Sequence, residues 1–254
     1  MEICEQNEIW ESIEGATDLS YLHTKIILKE GDNYYYAIST RRRHTFSKVD
    51  IPELNLVPIA VSQIWPPFSA QFTRAPEPLP QNCYVKRPSL IAYYKPKDLA
   101  ELGSRMLHEA GICEILKASP HPNVAQYLGC VVENDKVTGL CFVKYSMDLK
   151  QRVTKDSRPF DAGLLFQGIQ AGIQHLHSLG IIHCDISTTN IMMDGDTPVI
   201  IDFDCSQHNG EKLGFKSGTL DSENKDSDFK FAGTEDDEYE LSRIRAFLFK
   251  DRKT

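Results

Sequence analysis

Asp185, Asn190 and Asp202 constrain this chain more than anything else in it. Asp185 and Asn190 stand five residues apart in His183-Cys184-Asp185-Ile186-Ser187-Thr188-Thr189-Asn190. Twelve residues beyond Asn190, an apolar run, Val199–Ile201, ends in Asp202-Phe203-Asp204. An Asp, an Asn five residues on and another Asp after a short strand can converge on one point. Upstream, Leu164, Leu165, Ile169, Ile173 and Leu176 recur at helical spacing, and Ile181–His183 reads as a short buried strand.

In phosphoryl transfer, the first carboxylate of such a set orients the nucleophile, while the Asn and second Asp hold magnesium. The set resembles the protein-kinase signature, HxDxxxxN followed by DFG. More stretches extend that resemblance. Ile91-Ala92-Tyr93-Tyr94-Lys95 looks like the strand that ends in the phosphate-pairing Lys. His108-Glu109-Ala110-Gly111-Ile112-Cys113 looks like the helix carrying its Glu partner. His121-Pro122-Asn123-Val124 and the hairpin to Tyr145 match the small lobe and hinge. The chain thus resembles the protein-kinase-like superfamily, of the fungal type. The resemblance implies an α+β, two-lobed kinase-like fold with a truncated large lobe. It implies nucleotide binding by Lys95, Glu109, Asn190 and Asp202, with Asn190 and Asp202 as metal ligands and Asp185 as a catalytic residue.

The expected organisation follows. Residues 1–83 form a β-rich N-terminal extension and a connector, and 84–254 the kinase-like domain, with a small lobe at 84–145 and the large lobe at 146–254. Within the extension, Lys25–Lys29 and Tyr34–Ile38 flank Gly31-Asp32-Asn33 as a hairpin. Residues 66–80 hold five prolines and no glycine, which reads as a stiff connector. Tyr84–Lys86 and Leu90–Tyr94 read as two strands, Leu99–Ala118 as a helix, and Ala125–Glu133 with Val137–Tyr145 as a second hairpin. Leu241, Ile244, Phe247 and Leu248 mark a last amphipathic helix, with Thr234 as its N-cap.

Composition excludes several classes. No run of eighteen apolar residues exists, so no membrane span is expected. Seven scattered cysteines without a CxxC pair argue against a disulfide framework or zinc knuckle and fit a reducing, cytoplasmic setting. The net charge of -8 is concentrated: residues 221–240 hold nine acids against two lysines, so no DNA-binding coat is indicated. Arg41-Arg42-Arg43-His44 with Phe46 and Lys48 form a basic spot.

The chain also departs from the kinase pattern. No glycine lies between Gly31 and Lys95, so the glycine-rich phosphate-covering loop is missing and weak ATP binding is expected. Ser187 stands where serine/threonine kinases usually carry Lys, and Asp204 replaces the glycine of DFG. No APE motif follows Gly218-Thr219, and the peptide-platform helices are not found.

Asp236-Asp237-Glu238-Tyr239-Glu240 opens the last helix, and its i,i+3 and i,i+4 spacing puts Asp236, Asp237 and Glu240 on one face. Acids in a first helical turn are favoured by the macrodipole. The kinase resemblance adds that Asp237 anchors the catalytic-loop backbone. The stretch also fits DDxxE, which resembles the motif of the fungal arginine-containing cyclodipeptide synthases. That second resemblance implies an aminoacyl transfer making an arginine-containing cyclic dipeptide in secondary metabolism. Arginyl-tRNA and a second aminoacyl-tRNA would be the partners, with Asp236, Asp237, Glu240 and Asp185 as catalytic residues and no cofactor. This is the leading expectation. Cys184 is a further candidate, as an acyl acceptor. The alternatives are an atypical small-molecule or protein kinase using magnesium and ATP, and a pseudokinase binding module.

Overall fold

The computed structural model describes residues 1–12, 19–42, 48–60, 64–91, 96–211 and 231–250. The chain divides into two units: Met1–Pro67 with Arg87–Ser104, and Phe68–Lys86 with Arg105–Thr254.

The first unit is built on an antiparallel sheet in the order β1 (Glu2–Ser12), β2 (Leu19–Glu30), β3 (Asn33–Ser39), β4 (Val57–Ile59). The β2–β3 hairpin turns at Gly31-Asp32, as its turn residues predict. Both faces of β2 are covered. Ile27 packs with Ile59, Ile64 and Leu90 on one side, while Ile26 and Leu28 pack with Ala37 on the other. That double burial explains a run of consecutive apolar residues where a half-exposed strand would alternate.

The second unit begins with a three-stranded antiparallel sheet, ordered β5 (Cys83–Lys86), β7 (Lys136–Val143), β6 (Tyr127–Glu133). The proline-rich segment runs beside it: Phe68 N donates to Asp135 O, Ala75 N to Cys130 O and Cys130 N to Thr73 O. Gly129, at φ +138°, permits this approach, because a Cβ there would sit 2.5 Å from Ala75 N. Helix α1 (Pro96–Ala118) starts in the first unit and continues in the second past Ser104.

The large-lobe elements are β8 (Met147–Asp148), α2 (Leu149–Thr154), α3 (Ala162–Ser178), β9 (Ile181–Ile182), β10 (Ile191–Asp194), β11 (Thr197–Ile200), β12 (Gln207–His208) and α4 (Thr234–Leu248). Asp161 caps α3 by accepting from Gly163 N and Leu164 N. The buried stripe of α3 is Leu165, Ile169, Gly172, Ile173 and Leu176; Leu164, read with that stripe, is 65% exposed. Gly172 lets the helix lie against Asn123, whose carbonyl would be 2.8 Å from a Cβ. The α+β kinase-like fold expected from the motifs is the fold observed. Among the described residues no helix is long and apolar enough to cross a membrane.

The expected boundary at residues 83 and 84 falls elsewhere. Residues 68–86 belong to the second unit because they hydrogen-bond to its sheet. Arg87–Ile91 belong to the first, where Glu5 accepts from Ser89 Oγ and Leu90 N. Leu90 and Ile91 are therefore not in a strand; the rest of the expected strand, 92–94, lies outside the described residues.

Candidate active site

The site grows from β5. Cross-strand register pairs Tyr84 with Phe142 and Lys86 with Leu140, so Tyr84, Lys86 and Phe142 share one face of the sheet. Lys86 Nζ donates to both oxygens of Glu109 at 2.7 Å and to Asp202 Oδ1 at 2.5 Å. Glu109, on α1, is only 3% exposed and also accepts from Phe203 N at 3.2 Å. Burial alone disfavours the Lys86 charge, but Glu109, Asp202 and Asp204 outweigh it and hold the ammonium above its ordinary range. Burial pushes the Glu109 carboxyl above its ordinary range, and Lys86 offsets only part of that.

This corrects the reading of Lys95. The partner of Glu109 is Lys86; Lys95 lies outside the described residues. The sequence signal for Lys86 is Tyr84-Val85-Lys86, an alternating run at the end of a strand that itself closes in a lysine.

The catalytic loop follows β9. His183 is fully buried; its Nε2 donates to Ile201 O at 2.9 Å, and its Nδ1 accepts from Asp185 N at 3.3 Å. Asn190 Nδ2 donates to Asp185 Oδ2 at 3.0 Å and to Asp185 O at 2.9 Å, which locks the two ends of the loop together. Asp202, at φ +68°, leaves β11 through a sharp bend that points its carboxylate at Lys86. Beside these groups lies a cavity of about 350 Å3, lined by Tyr84, Lys86, Glu109, Ala125, Phe142–Tyr145, Met192, Ile201 and Asp202. One end is apolar and the other carries the ions. Asn190 and Asp202 offer amide and carboxylate oxygens, the hard donors magnesium takes. Asn190 commits its Nδ2 to Asp185 and turns its Oδ1 the other way.

The acidic face of α4 does not form a shared site. Asp237 is 1% exposed and accepts from His183 N, Cys184 N and His177 Nε2 at 2.8–2.9 Å. The left-handed φ of Cys184, +63°, helps the two consecutive amides converge on that carboxylate. Asp236 accepts from Gly233 N at 3.1 Å and closes a capping interaction. The N-cap is thus Gly233, one residue before the expected Thr234. Glu240 accepts from Arg243 at 3.3 Å. Three carboxylates expected to converge on one ligand have three separate partners. Cys184 is no better suited as an acyl acceptor: burial, then Asp237 and Asp236, push its thiol up to about 12. In the basic spot, Arg41 pairs with Glu53 and Arg42 with Glu8, and Arg42 stacks on Trp10 and Tyr21. Residues 43–47 and 212–230, including Gly218-Thr219 and ten of the residues in the acidic run, lie outside the described residues.

Comparison with known proteins agrees with this geometry. The family model "Protein kinase domain" matches residues 92–222, just over half of the chain. The chain is similar to the Serine/threonine-protein kinase PSK1 of Saccharomyces cerevisiae, 32% identical over 123 residues, covering 44% of this chain and 8% of that protein. It is similar to the Serine/threonine-protein kinase pakH of Dictyostelium discoideum, 33% identical over 98 residues, 37% of this chain and 19% of that one. The Serine/threonine-protein kinase US3 homolog of Equine herpesvirus 1 is 35% identical over 97 residues, 37% of this chain and 25% of that one. The chain thus spans a quarter or less of the length of these relatives. A chain in the crystal structure of the yeast RNA Pol II CTD kinase CTDK-1 complex matches with a TM-score of 0.47 and 23% identity, over 54% of this chain and 48% of that one. The expectation of a tRNA-dependent cyclodipeptide synthase is overturned by these findings: the matched family and the relatives are kinases. The aminoacyl-tRNA partners and the cofactor-free reaction inferred from DDxxE fall with it. With Lys86, Glu109 and Asp202 bonded together at one cavity, Asp185 and Asn190 bonded to each other in the loop after β9, and the family model matched over residues 92–222, the chain belongs to the protein kinase domain family.

Proposed function

We propose that the chain is an ATP- and magnesium-dependent phosphotransferase acting on serine or threonine hydroxyls of a protein. The observation that carries this reading is Lys86 Nζ, bonded to both Glu109 and Asp202 in the lining of the cavity. The apolar end, with Phe142, Val143 and Met192, has the character of a slot for a purine. Lys86 pairs with the phosphates while Glu109 keeps its ammonium in place. Asp185, held by Asn190, accepts the proton of the attacking hydroxyl and aligns it. Asn190 and Asp202 would hold magnesium, which would supply positive charge to offset that developing on the transferred phosphoryl group.

Calorimetry with magnesium and ATP, followed by transfer of labelled γ-phosphate to casein, tests the reading. The parental chain binds the nucleotide and labels serine or threonine. Lys86→Met lowers transfer by about 100-fold, the usual cost of removing one preorganised electrostatic partner. Lys95→Met stays within about twofold of the parental chain, because the Glu109 carboxylate keeps its Lys86 partner. A parental chain that neither binds nor labels overturns the reading, and equal losses in the two variants overturn the assignment of Lys86.

A further inference from the structure

The segment joining Lys86 to α1 is held by two charged side chains that the phosphotransfer machinery itself does not use. Glu5, on β1, accepts from Ser89 Oγ at 2.5 Å and from Leu90 N at 2.9 Å. Lys25, on β2, is 2% exposed, and its Nζ donates to Ile91 O at 2.8 Å. Leu90 is itself buried against Ile27, Ile59 and Ile64, and Leu102 from α1 packs on the same cluster.

We propose that Glu5 and Lys25 are positioning residues for the Lys86–Glu109 ion pair, and that the N-terminal sheet serves as a built-in clamp on the segment carrying both partners. The inference rests on the phosphotransferase reading above. It follows from connectivity. Lys86 lies three residues before Ser89. Leu102 lies seven residues before Glu109 on a continuous helix, which places both on one helical face. Fixing Ser89–Ile91 and Leu102 on one sheet therefore restrains the chain at two points between the ion-pair partners. Glu5 adds a charged acceptor to a segment that has left the β5–β7 ladder.

Hydrogen exchange of the full chain without nucleotide tests the clamp independently of turnover. Glu5→Ala should speed exchange across residues 105–116 of α1 by about tenfold, the effect of losing charge-assisted hydrogen bonds. The β6–β7 hairpin and α3 should keep parental rates. Glu5→Gln, which keeps an acceptor oxygen for Leu90 N, should restore most of the protection. In the transfer assay kcat should fall about tenfold in Glu5→Ala while the KM for ATP moves less than about twofold, because the apolar slot is untouched. Ser89→Ala, at an exposed position, removes one bond only and gives a smaller change in the same direction, should Glu5→Ala fold poorly. Faster exchange confined to β1–β3, with α1 at the parental rate in both alanine variants, overturns the proposal. So does a loss of thermal stability with kcat unchanged. A parental chain without transfer activity would sink the phosphotransferase reading, while the exchange of α1 still decides whether the clamp exists.

Discussion

Lys86 and Lys95 each end a short run of apolar and aromatic residues and are each followed within two residues by a proline, so local character favours neither. Cross-strand register separates them. Pairing of Val85 with Cys141 turns Lys86 to the cavity face, where a buried carboxylate waits on α1. Cys184 shows the same dependence on surroundings. Its place next to Asp185 suggests a nucleophile, but burial, and after it the carboxylate that anchors its own amide, raise its thiol to about 12. The thiolate is the reactive form, so a raised thiol is less reactive at any pH below that value, and reactivity grows only as pH climbs toward it. At pH 8, iodoacetamide should therefore modify Cys184 roughly 100-fold more slowly than a free cysteine. Peptide mass spectrometry over a time course reads this directly; alkylation at the free-thiol rate would restore Cys184 as a nucleophile candidate.

At the scale of elements, α4 owes its acidic start to three different demands. Asp236 ties the first turn to Gly233 N, Asp237 supports the catalytic loop, and Glu240 meets Arg243 one turn on. The energies differ accordingly. Asp237→Ala leaves His183 N and Cys184 N without their acceptor, and each unsatisfied buried donor costs about 1–3 kcal/mol. The variant should lose roughly 2–5 kcal/mol in urea unfolding, together with its activity. Asp236→Asn keeps a capping oxygen and should cost less than about 1 kcal/mol. Glu240→Gln gives up a pair with a half-exposed arginine and should cost less than about 1 kcal/mol as well. Equal losses across the three variants would contradict this ranking and return the face to the status of a single cluster. The neighbouring strands follow the same logic: β9 is two residues long, and its pairing with β12 and its contact with α4 compensate for what so short a ladder cannot supply.

For the molecule as a whole, the two units are interleaved in sequence. The chain passes from one to the other after Pro67, after Lys86 and again within α1 after Ser104. Each has its own apolar clusters, yet neither is one continuous stretch, and one helix is common to both. Unfolding one unit releases the ends of the segments that the other must hold. The expected outcome is a single cooperative transition. The chain offers a direct check, because both tryptophans, Trp10 and Trp65, lie in the first unit, whereas α3 and α4 lie in the second. Urea midpoints from tryptophan fluorescence and from far-ultraviolet dichroism should coincide. Separated midpoints would show that the units unfold independently, despite the shared helix.

Much of the fold was legible because it depends on neighbours close in sequence. The β2–β3 and β6–β7 hairpins are marked by their turn residues, α3 by its apolar spacing, and the Asp185–Asn190–Asp202 set by residue type at short intervals. Three things were decided only in three dimensions. The partner of Glu109 lies 23 residues upstream of it, and Lys86 and Asp202 are 116 apart. The proline-rich segment joined the second unit because its backbone amides found acceptors on the β6–β7 hairpin, which prolines at intervals do not announce. The acids of α4 look alike in the sequence, but burial makes Asp237 the support of the catalytic loop, with Asp236 a cap and Glu240 a partner of Arg243. A carboxylate's role follows from the donors around it, and those are set by chain segments too far away for spacing to reveal.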